Sequence, residues 1–154
     1  MKFNSLADIL KFAITKEEAS VLFYRSLIGL IKNINTVAVL EAMAREEEKH
    51  IDAIKLELFK LGVTIKDSAS QEGASEGGEI VLEIDKKVEE MTPLDFMRMG
   101  VQKERSSFML YAELMVLAED MDSRKMFLEL AEEEMRHVIN LEREVEVLIR
   151  PRKD

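Results

Sequence analysis

Apolar residues recur at three- and four-residue intervals over four long stretches of the chain. The stretches cover about residues 5–32, 36–61, 93–119 and 123–149, and their period is that of amphipathic helices. Each holds about 25 residues, or roughly 38 Å of helix. Ser5 is placed to cap the first, with Asp8 three residues on as a capping-box variant. Gly62 stands where a terminal glycine ends a helix, and Pro93 falls at a first helical position. A few residues around Asn33–Asn35 join the first pair, and a few around Asp120–Asp122 join the second. Connections that short predict antiparallel hairpins. Residues 62–92 link the two hairpins. Asp67 to Gly78 is flexible by composition, and Ile80 to Val88 reads as a short helix in preference to a strand. The expectation is one all-α domain over residues 1–154, a four-helix bundle of two antiparallel hairpins joined by one long crossover.

Composition narrows the chemistry. The net charge is −9, which repels phosphate backbones and argues against nucleic acid as a partner. The same field favours cations. Cysteine is absent, which removes disulfides, thiolate zinc sites, iron–sulfur clusters and thiol nucleophiles together. Any bound metal must be held by carboxylate and imidazole. No apolar run is long enough to span a bilayer, and the N-terminus lacks a signal-peptide pattern. A cytoplasmic protein with no membrane partner is expected.

The two hairpins resemble each other at an offset of 87 residues, which separates His50 from His137 and Tyr24 from Tyr111. These are the chain's two histidines and two tyrosines. The same offset pairs Lys16 with Lys103, Glu17 with Glu104, Glu46 with Glu133 and Glu47 with Glu134. Both histidines close a Glu-x-x-His motif, Glu47 to His50 and Glu134 to His137. Residues three apart share one helix face, so carboxylate and imidazole can reach the same ion. Each motif has another glutamate 30 residues upstream, Glu17 and Glu104. Across a tight turn, that spacing brings the pair to similar height on antiparallel helices. Four glutamates and two histidines in one layer are the ligand set with which helical bundles hold paired iron or manganese ions.

All four glutamates fall on apolar stripes. Leu10, Ala13, Ile14 and Val21 flank Glu17, and Phe127, Leu130, Ala131 and Val138 flank Glu134. Grouped buried carboxylates repel one another and cost several kcal/mol each. Two divalent cations would cancel the four negative charges. Glu18, Glu46, Glu48, Glu132 and Glu133 read instead as a solvated face, and the methionines as core filling. Tyr24 and Tyr111 lie seven residues, two turns, beyond Glu17 and Glu104. They are candidate hydrogen-bond donors to the site and its candidate catalytic side chains.

At Ala13 to Glu17, Phe23-Tyr24, Glu47-x-x-His50, Val101 to Glu104, Tyr111 and Glu134-x-x-His137, the chain resembles the rubrerythrin-like branch of the ferritin-like superfamily. The resemblance covers all four helices but not the crossover. It implies that Glu47 and Glu134 bridge two irons, that Glu17 and Glu104 are terminal ligands, and that His50 and His137 each cap one metal. It implies reaction of the reduced centre with hydrogen peroxide or dioxygen, in oxidative-stress defence. Two departures follow. Such proteins usually carry a rubredoxin-type cysteine domain, so here electrons would come from an external donor protein. They also usually have a glutamate three residues after the third-helix ligand, and this chain has Ser107. No fifth helical pattern follows Ile149, which speaks against a storage cage. The expectation is a di-iron oxidoreductase, paired as a homodimer. Its rivals are a di-manganese catalase-like enzyme, an iron-binding or storage protein without turnover, and a metal-free helical module.

Overall fold

The computed structural model describes residues 2–63 and 87–150. Four long helices dominate it: α1 (Leu6–Ile28), α2 (Ile34–Lys60), α3 (Pro93–Leu117) and α4 (Met121–Ile149). Each starts at a side chain that caps it. Ser5, Asn33, Thr92 and Asp120 accept from the backbone N–H of Asp8, Thr36, Asp95 and Ser123 respectively. Such a cap contributes about 1 kcal/mol by satisfying an orphan donor of the first turn. Thr92 and Asp95 form a reciprocal capping box, with Pro93 in the first turn. At the end of α2, Gly62 takes φ +76°. The N–H of Val63 then reaches the carbonyl of Leu58, and that of Gly62 the carbonyl of Phe59. This closes the helix as a Schellman motif.

Two helix boundaries differ from expectation. α1 stops at Ile28, not near Lys32, because the chain tightens there: Leu30 N–H bonds to Leu27 O at 2.9 Å and Ile31 N–H to Ile28 O at 3.4 Å. α2 starts at Ile34, because Asn33 leaves helical geometry (φ −72°, ψ 115°) to cap it. The expected short helix over residues 80–88 lies outside the described residues up to 86. Val88–Glu90 form a single 3-10 turn.

α1 pairs with α2, and α3 with α4. The core consists of two apolar clusters. One holds Leu10 and Ile14 of α1, Ile54 and Leu58 of α2, Tyr111 and Leu114 of α3, and Phe127 and Leu130 of α4. The other holds Tyr24 and Leu27, Leu40 and Met43, Phe96 and Met97, and Val138 and Leu141. The start of α1 therefore lies beside the ends of α2 and α3 and the start of α4. α2 and α3 run parallel, so the connection between them joins opposite ends of the bundle. That is why it is long, and why the fold has ferritin-like connectivity. Between the two clusters, at mid-height, every helix contributes a buried glutamate: Glu17, Glu47, Glu104 and Glu134. Among the described residues no helix is long and apolar enough to cross a membrane.

Candidate metal centre

Six predicted side chains converge in this middle layer, all of them buried. The imidazoles of His50 and His137 stack with centroids 5.8 Å apart and planes 14° from parallel. His50 Nδ1 lies 3.6 Å from Glu17 Oε2, 3.3 Å from Glu47 Oε2 and 3.2 Å from Glu134 Oε1. His137 Nδ1 lies 3.5 Å from Glu104 Oε2, 3.4 Å from Glu134 Oε2 and 4.0 Å from Glu47 Oε1. Two four-residue groups result: Glu17, Glu47, His50 and Glu134, and Glu47, Glu104, Glu134 and His137. Within each, one donor atom per residue falls inside 4.8 Å of the others. Glu47 and Glu134 belong to both groups and turn a different oxygen to each.

The tyrosines cross between the hairpins. Tyr24 on α1 donates to Glu104 Oε1 on α3, and Tyr111 on α3 donates to Glu17 Oε1 on α1. Burial, reinforced by the carboxylates, raises both phenol pKa values well above the usual range, so both keep their protons. Each fixes the outer oxygen of one glutamate and leaves the inner oxygen facing the centre.

Two further residues enter the site that the spacing of acids and histidines does not predict. Lys103 is wholly buried, with Nζ 2.8 Å from Glu47 Oε1 and 3.3 Å from Glu104 Oε1. Glu133, expected on a solvated face, has Oε2 2.6 Å from His50 Nε2. A carboxylate at Nε2 favours a proton there and leaves Nδ1 as the nitrogen that faces the centre and can serve an ion. Ser107, where the resemblance expects a carboxylate, is half-buried.

Seven buried polar atoms of the centre have no hydrogen-bond partner among the described residues: Glu17 Oε2, Glu47 Oε2, Glu104 Oε2, both oxygens of Glu134, and Nδ1 of both histidines. Buried polar groups are almost always satisfied, and each orphan costs about 1–3 kcal/mol, more when charged. Seven aimed at one another call for cations. Hard oxygens and imidazole nitrogens suit iron and manganese. In the ion's absence, protons serve. Burial pushes the Glu47 carboxyl up to about 7 against the pull of Lys103. Burial works to lower His137, but Glu104 and Glu134 overcome it and raise the imidazole to about 10.

Fold and centre together define a ferritin-like four-helix bundle with a carboxylate–histidine cluster able to hold metal ions. The chain belongs to the rubrerythrin family, whose model matches residues 8–93. Solved structures share the fold. An uncharacterised conserved protein from Magnetospirillum magnetotacticum superposes with a TM-score of 0.72 at 24% identity, over 97% of this chain and 99% of that one. A hypothetical protein from Pyrococcus furiosus gives 0.67 at 24% identity, over 95% and 91%. A conserved hypothetical protein from Mycobacterium tuberculosis gives 0.68 at 16%, over 95% and 92%. No curated protein matches the chain.

Proposed function

We propose that the chain is a di-iron oxidoreductase that reduces hydrogen peroxide to water with electrons from a separate protein. The observation that carries the reading is the set of seven unpartnered, buried donor atoms divided between two histidines. When bound, a pair of redox-active ions supplies the two electrons needed to break the O–O bond; two protons complete two molecules of water. Glu47 and Glu134 would bridge the ions, Glu17 and Glu104 would be terminal ligands, and His50 and His137 would each cap one. The protein's own part is positioning and proton control. Tyr24 and Tyr111 hold protons on Glu104 and Glu17, at the edge of the centre. The apolar clusters above and below exclude bulk water, which sharpens every charge interaction inside. Family membership supports redox chemistry of this kind.

The test is anaerobic ferrous titration of the metal-free chain, followed by peroxide and monitored by optical absorption. Binding should saturate at two irons per chain, and peroxide should bring up the absorption of a ferric pair. Continued peroxide consumption should require added reductant. Oxygen release without reductant would point to catalase-type disproportionation instead. Uptake of many irons per chain would point to storage.

A further inference from the structure

The pseudo-two-fold of the bundle is broken on the centre itself, most directly at a pair of lysines. Lys16 and Lys103 are counterparts in the two hairpins, each one residue before a glutamate of the site. Lys16 is half-buried with Nζ over the Phe12 ring. Lys103 is wholly buried among the carboxylates, its Nζ also over the Tyr24 ring.

The donor atoms show what this does. The His50 group has four inward atoms, Glu17 Oε2, Glu47 Oε2, Glu134 Oε1 and His50 Nδ1, all without a hydrogen-bond partner among the described residues. The corresponding atoms of the His137 group are Glu104 Oε2, Glu134 Oε2, His137 Nδ1 and Glu47 Oε1. Three of these are likewise unpartnered. The fourth, Glu47 Oε1, already accepts from Lys103 at 2.8 Å. A second asymmetry has the same sense. His50 Nε2 meets Glu133, whereas Glu46, the counterpart of Glu133, accepts from Lys49 at 2.8 Å. A carboxylate behind an imidazole makes it a stronger ligand.

We infer that Lys103 is a built-in cation that makes the two metal positions unequal, so that the His50 side fills first and the His137 side fills second and more weakly. The inference rests on the metal reading above and goes beyond it by fixing an order. An ion on the His137 side must displace an ammonium from one ligand oxygen and then sit beside that positive charge. An ion on the His50 side meets neither cost and gains the Glu133-supported histidine. Lys103 is thus a positioning residue: it acts on the centre through Glu47 and Glu104.

The test is calorimetric titration of the metal-free full chain with Mn2+, with electron paramagnetic resonance at one equivalent. Two dissociation constants at least about tenfold apart are expected, with an uncoupled mononuclear signal at one equivalent. His137→Ala should keep the tighter constant and His50→Ala should lose it. Lys103→Met, which removes the ammonium but keeps an apolar stem, should bring the two constants together. Equal constants, a tighter constant that survives in His50→Ala, or an unchanged ratio in folded Lys103→Met overturns the inference alone. If Lys103→Met does not fold without metal, the histidine pair decides, because both variants retain Lys103. A chain that binds no Mn2+, ferrous or other divalent ion overturns the metal reading and this inference with it.

Discussion

Tyr111 on α3 donates its hydroxyl to Glu17 on α1, so the two hairpins are tied through the carboxylate of the centre. Tyr24 makes the matching bond to Glu104. The two are not equivalent, because Glu104 Oε1 also receives Lys103 at 3.3 Å. Taking one hydrogen-bond partner from a buried acceptor costs about 1–3 kcal/mol. Tyr111→Phe should therefore destabilise the metal-free protein by an amount in that range. Tyr24→Phe should cost less, since Lys103 still covers the oxygen it vacates. Urea unfolding of the two variants checks this, and equal losses would contradict the asymmetry.

The metal-free protein should lose stability as pH rises. Burial raises Glu47 from 4.5 to about 7. Glu104 and Glu134 raise His137 from 6.5 to about 10, against the opposing effect of burial. Both folded values exceed the unfolded ones, so the native state holds more protons than the unfolded chain. The stability tied to them is complete below each unfolded value and disappears as pH passes through each folded one. The melting temperature in chelator should fall between about pH 5 and about pH 10. A bound ion displaces these protons, so the stabilisation it adds should grow over the same range. Melting curves with and without Mn2+ test both trends. A chelated protein whose melting temperature rises with pH would contradict the first.

The cluster of four glutamates and two histidines is legible in the sequence because the repeat marks it. Two histidines, each three residues after a glutamate, leave few ways to build one layer from two hairpins. Lys103 is not legible, for a physical reason. Ile9, Phe12 and Ala13 precede Lys16 at the same helical spacing as Phe96, Met99 and Gly100 precede Lys103, so the local pattern is alike. Packing between helices separates them. Gly100 brings the backbone of α3 close to the Leu141 and Tyr24 side chains, where an added Cβ would come within 3.3 Å of Leu141 Cδ1. The end of α1 is hidden for a different reason. Leu30 and Ile31 continue the apolar rhythm after the backbone has switched to three-residue hydrogen bonds.

Asp120 organises the turn between α3 and α4. It accepts from Ser123 N at 2.8 Å and from Ser123 Oγ at 2.6 Å. These bonds hold its carboxyl below the usual range. Asp120→Ala should cost about 1 kcal/mol, the typical value of a lost cap. Because the folded pKa is depressed, the contribution is present above the unfolded value of 3.8 and fades as acid takes pH down through the folded one. The difference in unfolding free energy between wild type and variant should therefore be constant near neutrality and shrink in acid. A gap that widens below about pH 4 would be inconsistent with the cap.

Glu134 turns one oxygen to each histidine, 3.2 Å from His50 Nδ1 and 3.4 Å from His137 Nδ1, and both oxygens lack a hydrogen-bond partner among the described residues. A residue shared in this way cannot be lost to one ion alone. Glu134→Gln replaces one of the two anionic oxygens with an amide nitrogen that cannot ligate, and it removes a full charge from the centre. It should cut retention of both ions. Glu104→Gln touches the His137 side and should cost one. Metal analysis after dialysis against a weak chelator separates these outcomes without any assay of turnover. Should Glu134→Gln keep its full complement while remaining folded, the two ions do not share Glu134, and the pair of adjoining sites has to be given up.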